Sequence, residues 1–284
     1  MAIEGNHELE LVTIAVIAYR QEHLIREAIS SALSQTYQPL EVILSDDGSS
    51  DRTFEIMEEM AAAYDGPAQV RLNRNKVNLG LIGHINRIFE LSRGVLIVPN
   101  AGDDVSEPTR VAQLYEVFRS SRPMLLHSDV LDINLNGSPR KVRSQQPKLL
   151  DMKLTDAAFA FETVIGASCG WNPDLYNYFG PITEPLAYED LILYYRARLF
   201  DSVIHIPRPL VRYRRGGVTG PGKKSEEMKL KRKRTHAAVL RQRRADLARY
   251  TEIFSERFDQ KSVALDQTAD RTAAKISSAS GDKV

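Results

Sequence analysis

Short apolar runs recur along the first half of the chain, and each is followed by a stretch with the period of an amphipathic helix. Residues 11–18 (LVTIAVIA), 40–44 (LEVIL), 69–74 and 95–99 have the length expected of strands, and the first two are mostly apolar, interrupted only by Thr13 and Glu41, as strands covered on both faces are. Between them, residues 22–35 place Ile25, Ala28, Ile29, Ala32 and Leu33 on one helical face. Residues 51–64 repeat the pattern with Phe54, Met57, Ala61 and Tyr64, and Ser49, Ser50 or Asp51 can cap that helix. A third helix is expected over 81–92. Pro108 opens a fourth that runs to about Ser120, since a proline costs little in a first helical turn. This alternation predicts βαβ units and an α/β fold with a mainly parallel sheet flanked by helices. Right-handed crossovers put the loops that follow the strands on one edge. Tyr19, Asp46, Asp47, Asp103 and Asp104 are therefore expected to converge there.

The second half is less regular. Residues 125–135 read as a strand, Asn136-Gly137 as a turn, and 191–200 as a helix, while 203–206 and 210–214 read as two short strands. From Lys223 to Arg244 the chain carries ten basic and two acidic residues with helix-forming composition. The expected organisation is a domain over 8–222, a basic helical extension over 223–260 and a flexible tail over 261–284.

Composition narrows the function little. The 38 basic and 37 acidic side chains leave a formal net charge of +1, which favours no class of partner. The single cysteine, Cys169, rules out an internal disulfide and a thiolate metal cluster, and fits a reducing, cytoplasmic compartment. The first ten residues lack the apolar core of a secretory signal, and no run approaches the roughly 18–20 apolar residues of a spanning helix. The expectation is a soluble protein that could still rest on a membrane surface.

Three acidic clusters carry the candidate chemistry. Asp46-Asp47-Gly48-Ser49 follows a strand: its carboxylates can accept hydrogen bonds from a base or a ribose, or it can simply cap the next helix. Gly102-Asp103-Asp104 follows another strand and offers hard oxygen ligands suited to Mg²⁺ or Mn²⁺ on a diphosphate, or forms a polar turn. Glu189-Asp190 precedes an apolar helical run, where it can complement the helix dipole or supply a general base. Lesser features have plainer readings. His127-Ser128-Asp129 reads as a polar strand end, and His84 and Asn86 as surface or capping residues. Trp171, in the small-residue stretch 166–171, can stack on an acceptor sugar or pack in the core. Glu184 and Pro185 are expected in a loop over the site. The segment from Lys223 to Arg244 can be a solvated helix or can be drawn to an anionic membrane. Nucleic-acid binding is disfavoured because aromatic residues are scarce there.

Taken together and in this order, the three clusters resemble the family 2 glycosyltransferases, which share the GT-A fold. The stretch VTIAVIAYRQEHLIREAISSALSQTYQPLEVILSDDGSSDRT carries the resemblance most strongly, supported by VNLGLIGHINR and by the helix after Glu189-Asp190. It extends from about residue 11 to 214. It implies a GT-A-like (Rossmann-like) sheet and an inverting transfer from a nucleotide sugar, UDP-linked for preference, to a saccharide or lipid-linked saccharide acceptor. Bacterial surface-polysaccharide assembly is the usual setting. The resemblance sets Ala18 and Tyr19 beside the nucleotide, with Tyr19 against the base. Glu22, Asp46 and Asp47 become polar contacts to base and ribose, and Asn78 and Gly80 fall in a matching segment. Asp103 becomes the metal ligand, Asp104 an orienting acid for the donor sugar, and Asp190 the base with Glu189 its neighbour. Arg214 or Arg215 could add positive charge for the phosphates. Two departures stand out: Ala101 replaces the first aspartate of the family's Asp-x-Asp, and no histidine follows Tyr213-Arg214. Two alternatives remain beside this reading. One is a sugar-nucleotide pyrophosphorylase, which residues 18–22 do not support because they contain no glycine. The other is a donor-binding scaffold without turnover, which Ala101 keeps open.

Overall fold

The computed structural model describes residues 9–144, 152–216 and 226–255. In chain order the elements are β1 (Val12–Ala18), α1 (Ile25–Leu33), β2 (Leu40–Asp46), α2 (Thr53–Ala62), β3 (Gln69–Arg74), α3 (Gly80–Leu91), β4 (Ile97–Ala101), β5 (Val105–Ser106), α4 (Arg110–Ser121), β6 (Leu125–Ile133), β7 (Pro139–Arg143), α5 (Leu154–Ala157), β8 (Cys169–Trp171), α6 (Asp174–Asn177), α7 (Glu189–Leu199), β9 (Val203–Arg214) and α8 (Glu226–Phe254). A 3₁₀ turn at Gly166–Ser168 leads into β8.

One mixed sheet runs in the order β3-β2-β1-β4-β8-β6-β9-β5, with β7 added to β6. Its long ladders, β1 with β2 and β4, β2 with β3, and β6 with β9, are parallel. The antiparallel insertion of β8 between β4 and β6 joins two parallel blocks. Helices cover both faces, so β1 and β2 carry buried apolar side chains on each side. Val12, Ile14 and Val16 pack with α1 and α4, while Ala15 and Ile43 pack with α3 and α7. Burial of these runs is the main source of stability, at about 25 cal/mol per Å² of apolar surface removed from water.

Several details differ from the sequence reading. Residues 203–214 form one strand rather than two, because β9 pairs along the whole length of β6 and absorbs the break as register shifts. His84 is not a surface residue. It is buried at 3% exposure, with its Nε2 2.6 Å from Ser45 Oγ beneath β2, and burial pushes its pKa down. Asn86 is no cap either: it exchanges hydrogen bonds with the backbone of Ile182. The basic stretch forms part of α8, which lies against α7 and buries Ala238, Val239, Leu240 and Leu247. Residues 223–225 and the tail over 261–284 lie outside the described residues.

Candidate active site

Parallel pairing sets the ends of the strands level. Ala18 is opposite Asp46, Asp46 opposite Arg74, and Ile17 opposite Ala101. Backbone hydrogen bonds then stitch the loops of this edge together: Asp47 N donates to Ala18 O, Asn75 N to Asp46 O, and Gly102 N to Ile17 O, each at 2.9 Å. The five residues expected to converge do lie along this edge.

Asp46 and Asp47 are both buried. Asp46 Oδ2 accepts the Ser49 backbone N–H at 2.9 Å, and Arg74 Nε lies 3.5 Å from the same oxygen. Asp46 Oδ1 has no hydrogen-bond partner among the described residues. An unpaired buried carboxylate oxygen is costly and calls for a further hydrogen-bond donor. Asp47 Oδ1 accepts from Asn75 Nδ2 at 2.8 Å and from Leu79 N at 2.9 Å. Gly48 turns the chain at φ +71°, and a Cβ there would press on Val77 and Asn78 backbone atoms at 3.1 Å, so the DDGS turn and the Asn78–Gly80 segment need a glycine between them. Asn78 is exposed and its Oδ1 accepts the Gly80 N–H at 2.9 Å.

Tyr19 is half-buried, and the Arg20 guanidinium lies over its ring at 5.1 Å. Arg20 adopts φ +54°, an uncommon conformation for a non-glycine residue, and its N–H donates to Ser49 Oγ at 2.8 Å. Glu22 Oε2 accepts the Arg52 N–H at 3.0 Å, so this carboxylate joins the loop before α1 to the residue before α2.

The turn after β4 holds the second acidic pair. Asp103 is half-buried, and burial raises its pKa against the opposing pull of its own N–H, Arg214 and a hydrogen bond from Gln21. Asp104 is buried at 2% exposure and accepts the Arg214 N–H on Oδ1 at 2.8 Å. Burial first, and the neighbouring Asp103 second, push its pKa up to about 8. Its part in this edge is to anchor β9 rather than to present a carboxylate to a donor sugar. Arg214 also departs from expectation. Its side chain is 1% exposed, and it donates to Asp103 O at 2.8 Å, to Glu27 Oε2 at 2.6 Å, and to the carbonyls of Asn134 and Leu135. It clamps the acidic turn from behind, with its guanidinium consumed by those contacts, so it does not face a phosphate.

Arg110 connects this turn to the third cluster. It is fully buried, donating to Ser106 Oγ at 2.9 Å and to the carbonyls of Ala167 at 2.6 Å and Cys169 at 3.1 Å. Burial lowers its pKa to about 10, and Cys169 and Asp104 oppose that shift. The 3₁₀ turn it grips packs on Glu189 and Asp190: a Cβ on Gly166 would run into Glu189 Oε1 and lie 3.5 Å from Asp190 Cβ. Glu189 and Asp190 open α7 and are half-buried. Asp190 Oδ1 accepts the Leu191 N–H at 2.7 Å, and Thr163 Oγ1 donates to Asp190 O at 3.1 Å. Burial raises both carboxyl pKa values, and for Asp190 the charge on Glu189 adds to the rise.

Trp171 is not an acceptor platform. It is 1% exposed in the central strand β8, pairs across to Ile97 and Leu125, and stacks on Phe89 at 5.5 Å between centroids. His127 itself is buried at 1% exposure, its ring stacks on His205 at 4.8 Å, and burial lowers its pKa to about 3, while Asp129 pairs with His205 Nε2 at 2.8 Å. Sequence reading passed over Gln21, Arg110 and Arg243. Arg110 left a signal, because a basic residue at a helix start opposes the dipole and needs another reason to be there.

A mixed sheet with acidic turns on one edge, and an acidic helix start beyond them, has the layout of a GT-A-like fold. The model of the family described as Glycosyl transferase family 2 matches residues 13–172, and the chain belongs to that family. Over 123 residues it is 34% identical to an uncharacterized glycosyltransferase of Haemophilus influenzae, covering 43% of this chain and 37% of that one. Over 155 residues it is 29% identical to chondroitin synthase of Pasteurella multocida, covering 54% of this chain and 16% of the synthase. The chain thus spans well under half the length of these two relatives. Among solved structures, residues 1–349 of Staphylococcus aureus TarS in complex with UDP superpose with a TM-score of 0.59 at 16% identity, covering 89% of this chain and 73% of that one. Mannosyltransferase PcManGT from Pyrobaculum calidifontis, in complex with GDP-Man and Mn²⁺, gives 0.59 at 14% identity, covering 93% and 80%. At these identities the structural likeness speaks for the fold alone.

Proposed function

We propose that the chain is an inverting glycosyltransferase that moves a sugar from a UDP-linked donor to a saccharide or lipid-linked saccharide acceptor in bacterial surface-polysaccharide assembly. The observation that carries this reading is the Arg110 link. It ties β5, the strand that directly follows the Asp103-Asp104 turn, to the Gly166–Ser168 turn on which Glu189 and Asp190 pack, so donor-side and acceptor-side acids share one framework. UDP and UDP-GlcNAc are bound in two TarS structures, and chondroitin and hyaluronan synthases are among the relatives, which agrees with a UDP-sugar donor and a polysaccharide product.

Each residue then has a chemical task. Ala18 and Tyr19 border the nucleotide. Asp46 Oδ1 accepts a donor N–H or hydroxyl, and Asp47 holds the Asn78–Gly80 segment against the ribose side. Asp190 takes the proton from the acceptor hydroxyl, whose oxygen attacks the anomeric carbon while the bond to the diphosphate breaks on the opposite face. A single displacement of this kind inverts the anomeric configuration. When ionised, Glu189 raises the proton affinity of the neighbouring Asp190.

The donor set also fits a divalent cation. Among the described residues no cluster of three or more His, Cys, Asp or Glu side chains is arranged to hold a metal alone. Mn²⁺ or Mg²⁺ in nucleotide sites, however, needs only one or two carboxylates, because phosphate oxygens and water complete its shell. Asp103 suits that role: burial works against its charge, and Arg214 meets its backbone carbonyl rather than its carboxylate. There the ion would neutralise charge on the departing diphosphate. A thermal-shift panel checks the donor reading. A matched UDP-sugar with Mn²⁺, at about 100 times its Kd, should raise the melting point by about 5 °C. No shift with any nucleotide sugar would remove the reading, and binding without transfer would favour the scaffold alternative.

The organisation we propose is a catalytic domain over 8–222 with the basic segment 223–260 appended, at the cytoplasmic face of the plasma membrane. No helix among the described residues is long and apolar enough to cross a membrane. Lys231, Arg232, Lys233 and Arg234 are all exposed, and each basic group near an anionic surface contributes roughly 1 kcal/mol. The expected result is co-sedimentation with phosphatidylserine vesicles that is lost at high salt. Pelleting equally well with neutral vesicles, or not at all, would contradict it.

A further inference from the structure

We propose that Arg243 of α8 is a positioning residue for Asp190, holding the Leu191 carbonyl in the first turn of α7 and setting a buried positive charge beside that turn. The proposal rests on the reading of Asp190 as the base.

Arg243 is 1% exposed, and its hydrogen bonds go to carbonyl oxygens. Nη1 donates to Ala157 O at 3.0 Å, Ala158 O at 3.1 Å and Ala160 O at 2.7 Å, and Nη2 donates to Leu191 O at 2.9 Å. Leu191 is the residue whose N–H holds Asp190 Oδ1. The residue after the acid is thus held at its carbonyl by α8, while its N–H, in the preceding peptide unit, donates to the carboxylate. Arg196, a neighbour in the same region, is different. Its guanidinium meets Asp246 in a two-pronged pair at 3.0 and 2.9 Å, which neutralises it directly. Among the described residues Arg243 makes no such carboxylate contact: beside the carbonyls, its guanidinium lies over the rings of Tyr195 at 5.3 Å and Phe161 at 5.9 Å, and a buried cation without a carboxylate partner is expensive to keep.

Its charge is felt where the chemistry is placed. Arg243 favours the ionised form of Asp190, opposing the burial and the Glu189 charge that raise its pKa. The other groups around the pair are Glu189, Tyr194 and Tyr195 on α7, Asp246 on α8 and Cys169 on β8. Burial lowers the pKa of Arg243 itself only to about 10, so it stays protonated at neutral pH. The two residues before it grip the approach to α7. Arg241 pairs with Glu184 at 2.7 and 2.8 Å, and Gln242 Oε1 accepts the N–H groups of Thr183 at 2.8 Å and Glu184 at 3.2 Å. Three consecutive residues of a helix that reads in sequence as a charged appendage therefore hold both the approach to α7 and its first turn.

The test follows the Asp190 carboxyl by NMR in the full chain, labelled with ¹³C at aspartate carboxyls, with D190N assigning the signal. R243M should move the Asp190 midpoint up by about one pH unit or more, because a nearby opposite charge is worth about 1–3 units. R243K, which retains the charge, should stay closer to wild type than R243M does. UDP affinity with Mn²⁺ should stay within about twofold of wild type in both, since the nucleotide contacts are elsewhere. A folded R243M with the wild-type midpoint overturns the proposal. If R243M does not fold, the wild-type protein decides: the ¹³Cζ signal of Arg243 should move through the same midpoint as the Asp190 carboxyl, and a flat Arg243 signal overturns it. Failure of the base reading looks different. D190N would keep its turnover, while the coupling of the two signals would still be present.

Discussion

Replacing Asp190 with asparagine is expected to abolish nearly all sugar transfer while leaving nucleotide binding intact. The substitution keeps the size of the side chain and a carbonyl oxygen for the Leu191 N–H, but removes the group that can accept a proton. General-base contributions are typically 10²–10⁴-fold, so turnover should fall by about that factor, and UDP affinity should change by less than about twofold. The wild-type pH profile carries the same information. Burial and the Glu189 charge raise the Asp190 pKa, and a base works only when ionised, so turnover should rise with pH through a limb above the usual carboxylate range. That limb belongs to the Glu189–Asp190 pair rather than to either acid alone. D190N transfer at near wild-type rate would remove the assignment.

Replacing Asp103 with asparagine should act on the other side of the reaction. The expected loss is about 100-fold or more in turnover, the effect of a few kcal/mol of charge stabilisation at the leaving diphosphate. The increment in UDP affinity that Mn²⁺ provides should vanish, with metal-free UDP binding unchanged. Stability should move the opposite way. Asp103 has a raised pKa in the folded chain, so the stability associated with its protonated form is present at low pH and lost as pH rises through the folded pKa. Removing that charge should leave the ligand-free melting point at pH 8 unchanged or higher. A D103N variant with full Mn²⁺-dependent binding would show that the ion is held elsewhere.

The sequence made some of this legible and hid the rest for physical reasons. Strands β1 to β4 and their helices announce themselves because their patterns are local: an apolar run for a strand covered on both faces, a 3.6-residue period for each helix. The edge on which Asp46, Asp47, Asp103 and Asp104 meet follows from parallel topology, so it could be anticipated without coordinates. What those side chains do once there could not. Arg214 and Asp104 are turned to each other by β9 pairing with β5 and β6, a contact between residues 110 apart. Trp171 looks available in a small-residue stretch until β8 is found in the centre of the sheet. His84 sits on a helix that reads as amphipathic, yet its face is the one that meets Ser45. The α8 arginines show the limit most clearly. A count of charges cannot distinguish the exposed Lys231–Arg234 run from Arg243, whose partners are backbone carbonyls that leave no trace in sequence.

The central claim is that the donor lies across the edge formed by Asp46, Asp47 and Asp103, with Asp190 on the far side of the anomeric carbon. A crystal structure of the chain with a UDP-sugar and Mn²⁺ tests it most directly, located by the anomalous signal of manganese. The account predicts a manganese peak at the Asp103 carboxylate shared with the diphosphate, a nucleotide donor group on Asp46 Oδ1, and the anomeric carbon open toward Asp190. A nucleotide bound away from this edge, or a diphosphate lying between the sugar and Asp190, would contradict it.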